Sequence, residues 1–213
     1  MFTASFRADG SSKFGSNNRY ATFPAFAFKW RVLEESWAQK VFGGFLSDLS
    51  FRANYGKLGS QDNLGSYAAL NLQQTFDVGA GPVTRFIQQG NPDLKWETRQ
   101  GMNLQLDFSL FNNRLSGNIN RFDDKTKNML FNYSVPTPPF FVNNIWANVG
   151  TITNKGWEFQ LNGDIIREQH FKWNMGGQIS LVKTKVESLS GTYNGYDVKS
   201  DHVLAGQMGF IVG

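Results

Sequence analysis

The residues Met102-Asn103-Leu104-Gln105-Leu106-Asp107-Phe108-Ser109-Leu110 alternate without interruption, with apolar side chains on even numbers and polar ones on odd numbers. A helix needs apolar residues three and four apart, so strict alternation puts the two sets on opposite faces of a β-strand. The pattern returns along the chain. Trp157, Phe159, Leu161 and Ile165 alternate with Glu158, Gln160, Asn162 and Asp164. Trp173, Met175, Ile179 and Leu181 alternate with Asn174, Gln178 and Ser180. Leu49, Phe51, Ala53 and Tyr55 share one face against Asp48, Ser50, Arg52 and Asn54, and Phe26, Phe28 and Trp30 share another against Lys29 and Arg31. Phe2, Ala4 and Phe6 repeat it near the start.

This periodicity predicts strands at 2–8, 20–33, 46–57, 95–110, 114–130, 150–166 and 171–188, with an incomplete eighth near 203–213. Two kinds of connection alternate between them. Phe111-Asn112-Asn113-Arg114 and Arg167-Glu168-Gln169-His170 read as tight hairpin turns, and the intermediate stretch 34–44 belongs with them. Long Gly/Pro/Asn-rich connections fall at roughly 9–18, 59–94, 131–148 and 190–201. Long strands with short turns at one end and long loops at the other are the pattern of an outer-membrane β-barrel.

Composition narrows the alternatives. The 213 residues contain no cysteine, which excludes disulfides, thiolate metal sites and a cysteine nucleophile, and the two histidines, His170 and His202, are far apart. The net charge of +4 is small and dispersed, so no nucleic-acid footprint is present. No apolar run is long enough for a transmembrane helix, and the first residues do not read as a signal peptide. Aromatic residues make up 15% of the chain, yet its mean hydropathy is negative. Two-faced strands reconcile those facts, and the polar faces favour Asn, Gln, Ser and Asp, which suits a water-filled lumen. Trp30 and Trp173 lie near short turns, and Tyr55 and Trp157 near long loops, where interfacial aromatic belts are expected. A soluble all-β carbohydrate-binding or adhesin module, with its apolar faces packed into a core, is the alternative, and a passive porin is a third reading.

In hydrocarbon every backbone polar group must be paired, so a spanning sheet has to close on itself. An eight-stranded barrel fills its interior with side chains, whereas the inward residues here are mostly small and polar. The expected fold is therefore all-β: an antiparallel up-and-down curved sheet of about eight strands that forms a partial arc of a wider barrel. The chain, residues 1–213, is expected to be one partial barrel domain.

Several segments, in order, resemble the SusC/RagA family of TonB-linked outer-membrane transporters of Bacteroidetes-type bacteria. They are Arg7-Ala8-Asp9-Gly10-Ser11-Ser12-Lys13-Phe14-Gly15, then Asn18 to Arg31, Phe51 to Gly56 and Gly59 to Asn63. The most distinctive is Asn91-Pro92-Asp93-Leu94-Lys95-Trp96-Glu97-Thr98, followed by Asn112 to Gly117, Asp124 to Lys127, and Asn148 to Glu158. The resemblance implies a barrel of about 22 strands with an N-terminal plug. It also implies import of glycans, oligosaccharides or peptides, a SusD-like surface lipoprotein as partner, and energy from TonB-ExbB-ExbD acting through N-terminal parts that this chain does not contain. Outer-membrane lipid is the other expected partner; no nucleic acid, no cofactor, no metal and no catalytic residue are expected.

Face by face, the residues expected to line the lumen are Arg52, Asn54, Asn103, Gln105, Asp107, Glu158, Gln160, Asn162 and Asp164. Those expected to face lipid are Leu104, Leu106, Phe108, Trp157, Phe159, Leu161 and Trp173. Paired carboxylates can hydrolyse glycosides, but Asp107, Glu158 and Asp164 come from strands that are not consecutive, so they read as lumen solvation. Asn91-Pro92-Asp93 and Asp9-Gly10 read as turns, with Asp93 bonding nearby backbone N–H groups. Phe131, Tyr133, Phe140, Phe141 and Trp146 bracket a proline-rich connection and are candidates for ligand or partner contact.

Overall fold

A computed structural model of the chain describes residues 1–62, 64–138, 140–193, 196–199, 202–205 and 208–211. Strands β1 (Phe2–Gly10) and β2 (Tyr20–Arg31) precede a short helix, α1 (Ser36–Phe42), and β3 (Leu46–Ser60). A hairpin of β4 (Leu72–Asp77) and β5 (Pro82–Gln88) leads to β6 (Glu97–Leu110) and β7 (Leu115–Lys127). A second hairpin, β8 (Leu130–Ser134) and β9 (Asn144–Asn148), precedes β10 (Thr151–Arg167) and β11 (Lys172–Ser188). The last described pieces are β12 (Ser190–Tyr193), β13 (Tyr196–Lys199), β14 (His202–Ala205) and β15 (Met208–Ile211).

The long strands form a 7-stranded antiparallel sheet in the order β1-β2-β3-β6-β7-β10-β11. Each is a sequence neighbour of the next once the loop hairpins are set aside, which is an up-and-down meander. They run from 9 residues in β1 to 17 in β10 and β11, and about 9–11 tilted residues cross a bilayer. The expected eighth strand is not part of this sheet: β14 pairs with β15 in a separate hairpin. Residues 206, 207, 212 and 213 of that stretch lie outside the described residues.

The short connections are compact. Arg114 N–H donates to Phe111 C=O at 3.2 Å within a four-residue connection closed by the Leu110–Leu115 pair, with Phe111, Asn112 and Asn113 all at positive φ. Asn tolerates that left-handed conformation because its short polar side chain bonds locally. The β2–β3 connection carries α1, which strand periodicity did not anticipate; Ala38 is its buried residue. Its neighbour Trp30 donates its indole N–H to Glu35 Oε1 at 3.2 Å.

The core lies among the long loops. Phe14, Phe23, Leu64, Ala68, Ala69, Leu94 and Trp96 pack into one buried cluster. Phe131, Ala147, Val149 and Leu189 form a second. By contrast the apolar face of the sheet is bare: Phe2, Phe6, Met175, Ile179 and Leu181 are 67%, 71%, 61%, 58% and 58% exposed. The chain exposes 14108 Å², whereas a folded globule of its mass exposes ~9,900 Å². A soluble sandwich would cover those rows with a second layer, and among the described residues none does. The sheet is a partial arc with two open edges, as an incomplete barrel requires.

Candidate functional site

Register carries the two-faced pattern across the whole sheet. Phe28, Ala53, Leu104, Arg121, Trp157 and Leu181 are successive partners, and so are Trp30, Phe51, Leu106, Ile119, Phe159 and Ile179. Phe108, Gly117, Leu161 and Gly177 continue the same face. Trp173 lies on it two residues from Met175 along β11, opposite Ile166 beyond a bulge between Asp164 and Ile166 that adds one residue to β10. All seven residues expected on the lipid side therefore share one face. Trp157 stacks on Phe159 with ring centroids 6.2 Å apart, and the Arg121 guanidinium sits 5.2 Å from the Trp157 ring centroid.

The opposite face is a hydrogen-bonded polar lattice. Asn54 pairs with Asn103 and Arg52 with Gln105 in register. Arg52 Nε lies 2.8 Å from Asp107 Oδ2, and Gln105 donates to Asp107 Oδ1 at 2.8 Å. Asn120 donates to Glu158 at 2.8 Å, and Asn118 to Gln160 at 3.0 Å. Asn162 opposes Ser116, and Asp164 opposes Asn174. The nine residues expected in the lumen thus line one face. Asp107 and Glu158 are separated by β7, and each is occupied by its own neighbour, an arrangement of solvating ladders rather than an acid–base pair. No group of three or more metal-binding side chains exists among the described residues.

The Arg7–Gly15 and Asn91–Thr98 segments meet at the loop end of the sheet. Gly15 N–H donates to Leu94 C=O at 3.0 Å, Asn18 Nδ2 to Asp93 C=O at 3.2 Å, and Trp96 Nε1 to Arg19 C=O at 3.2 Å. A Cβ at Gly15 would stand 1.7 Å from Pro92 C=O, so only glycine permits the approach. The turn is closed by Asn91 rather than Asp93. Asn91 Oδ1 accepts the Asp93 N–H at 3.0 Å while its Nδ2 donates to Trp146 C=O at 2.9 Å. Asx side chains favour this bond two residues ahead of themselves.

The loop aromatics separate into two groups. Phe131 is 9% exposed within the second cluster, with Tyr133 packed against it, and Trp146 packs on the first cluster. Phe140 meets Tyr193 edge-on at 5.6 Å. Phe141 is 64% exposed and stacks on Phe86 at 4.4 Å and 13°. Phe86 belongs to the β4–β5 hairpin, whose short strands carry too little periodicity to have been singled out in the sequence. Tyr193 is buried, accepting from Gln89 at 2.9 Å and donating to Gly90 C=O at 3.0 Å, and its burial raises the phenol pKa above its usual value.

An antiparallel meander with one uncovered apolar face, one polar face and alternating short and long connections is a segment of transmembrane β-barrel wall. Residues 1–206 match the model of the family described as TonB dependent receptor-like, beta-barrel, and the chain belongs to that family. It is 34% identical over 218 residues to the TonB-dependent receptor P26 of Formosa agariphila, covering 97% of this chain and 21% of that one. It is 31% identical over 199 residues to the TonB-dependent receptor SusC of Bacteroides thetaiotaomicron, covering 90% of this chain and 20% of the relative. The chain therefore spans about a fifth of the length of the curated relatives it matches. Among solved structures it superposes on that of the RagAB peptide transporter with a TM-score of 0.82 at 25% identity, covering 100% of this chain and 23% of that one. The RagAB peptide importer in the open-open state gives 0.81, again at 25% identity. The family is one of the outer membrane, and its members are transporters and receptors rather than enzymes.

Proposed function

We propose that residues 1–213 are part of the barrel domain of an energy-coupled importer that carries oligosaccharides or peptides across the outer membrane. In this reading the Leu104–Trp157 face meets lipid, the Arg52–Asp107–Glu158 face lines the lumen, and the long loops open to the outside. The observation that carries it is the pair of faces. A bare apolar face is stable only against lipid, and cross-strand Asn, Gln and carboxylate ladders suit a wet bore through which polar solutes pass. The likeness to SusC and to the RagAB peptide transporter supports glycan or peptide cargo and a SusD-like lipoprotein over the mouth. TonB-ExbB-ExbD would drive the protein through segments outside this chain. The exposed Phe141 ring, backed by the partly buried Phe86, suits contact with cargo or lid, since aromatic planes stack on sugar faces and apolar side chains.

Uptake of labelled oligosaccharides and peptides by cells with and without the full-length protein tests this reading. Uptake that requires the protein and stops when the inner-membrane proton gradient is dissipated is the expected result. Uptake that requires the protein but survives loss of the gradient indicates a passive porin instead.

A further inference from the structure

We infer that the outward face of β7, β10 and β11 carries a binding site for a phosphate-bearing lipid of the outer leaflet, an inference that rests on the membrane reading above. Rows on this face follow from the register. At the loop end, Lys125, Thr153 and Lys185 are partners, then Asp123, Lys155 and Lys183, then Arg121, Trp157 and Leu181, then Ile119, Phe159 and Ile179. The face passes from cationic to aromatic to apolar along its length, with Trp157 at the boundary.

The cations exceed what their neighbours neutralise. Lys155 Nζ pairs with Asp123 at 2.8 Å, and Lys125 pairs with Glu187. Lys127 and Lys183 have no ion-pair partner among the described residues, and Lys185 makes no direct pair, although the Glu187 carboxylate already held by Lys125 also acts on it. Lys183 and Lys185 are exposed, two residues apart on one strand, and therefore on the same face. At the corresponding level β1 and β2 offer Phe6, Ala8, Thr22 and Pro24, which are uncharged. Across β3 and β6 the Lys125 row continues through Gln100 to a single further cation, Lys57, so the positive charge is densest on β7, β10 and β11.

Below it, the same strands hold an apolar groove of about 670 Å³ lined by Phe159, Leu161, Gly163, Met175, Gly177 and Ile179. Leu161 lies six residues along β10 from Lys155, about 20 Å at ~3.3 Å per residue, which is within reach of a fatty acyl chain. A lysine cluster takes phosphate oxygens as point-charge contacts, and the groove takes the tail. One amphiphile satisfies both halves, whereas a free anion would leave the groove empty.

The test uses the full-length protein in nanodiscs of phosphatidylcholine doped with diphosphorylated lipid A, or with the same lipid after removal of its phosphates. Native mass spectrometry of the released protein reads the retained lipid. Insertion into the disc reports on the membrane reading and lipid retention on the site, so the two fail separately. The wild type is expected to retain lipid A, and the K183Q/K185Q double variant to retain about tenfold less, the loss expected from roughly one charge-assisted contact. The K183R/K185R variant should retain it. Equal retention by wild type and K183Q/K185Q, or equal retention of the two lipids, overturns the site. Displacement of lipid A by inorganic phosphate alone would make it a site for a free anion and likewise overturn it.

Discussion

The side chain of Asn148 closes both backbone groups of Lys95. Its Oδ1 accepts the Lys95 N–H at 2.9 Å, and its Nδ2 donates to Lys95 C=O at 2.7 Å and to Asn128 C=O at 2.9 Å. Asn148 thereby acts as one more rung of backbone, tying the approach to β6 to the chain between β7 and β10. Replacing Asn148 by Ala leaves those groups unpaired at a site where the side chain is 8% exposed. The expected loss is about 2–4 kcal/mol, since a stranded buried polar group costs ~1–3 kcal/mol. Urea titration of the detergent-folded full-length protein measures it, and hydrogen exchange at the Lys95 amide should quicken in step.

Phe131 and Phe141 should respond in opposite ways. Phe131→Ala empties a buried position and should cost ~3–5 kcal/mol of loop stability, with little direct effect on ligand contact. Phe141→Ala removes an exposed ring stacked on Phe86, so stability should change little while affinity for cargo or lid falls. Proteolysis of the surface loops and a binding titration on the same two variants distinguish these outcomes.

Tyr193 supplies a pH dependence. Burial favours the neutral phenol, which donates to Gly90 C=O, so the folded pKa is raised above the ordinary value of 10.0. The contribution of this contact is fully present below pH ~10 and is lost as pH rises through the elevated folded value. The difference in phenolate absorbance between wild type and Tyr193→Phe should therefore appear later than for an exposed tyrosine. A midpoint at the ordinary value would mean that Tyr193 is not docked.

On β6, adjacent residues should differ sharply. Leu104→Arg places a charge on the apolar face and should disfavour insertion by about 2–4 kcal/mol if it sits near the bilayer midplane. Gln105→Arg, beside Arg52 and Asp107 on the polar face, should be tolerated. Refolding yield into lipid vesicles compares the two.

These contrasts explain which parts of the structure were legible in the sequence. Leu104 and Gln105 reveal their faces because a strand has a period of two and each face meets one solvent for its whole length. The tight turn at Asn112–Asn113 was legible for a similar reason, since two adjacent residues that accept positive φ favour a short connection. The clasp between Gly15 and Pro92 was not legible. It depends on the meeting of segments 77 positions apart, for which no local period exists. Phe131 and Phe141 read alike in sequence, because both are aromatic residues that bracket one proline-rich stretch, and only packing separates them. The helix α1 was missed because seven residues hold barely two turns of amphipathic pattern.

The account rests on water meeting one face of this sheet and hydrocarbon the other. The chain contains no cysteine, so single cysteines placed from residue 103 to residue 108 in the full-length protein form a direct probe. Membranes bearing each variant would be treated with a water-soluble maleimide, and parallel samples carrying a fluorophore at the same positions would be quenched with brominated lipid. Positions 103, 105 and 107 should react with maleimide and resist quenching, while 104, 106 and 108 should do the reverse. Uniform labelling along the strand, or the opposite alternation, would contradict the account.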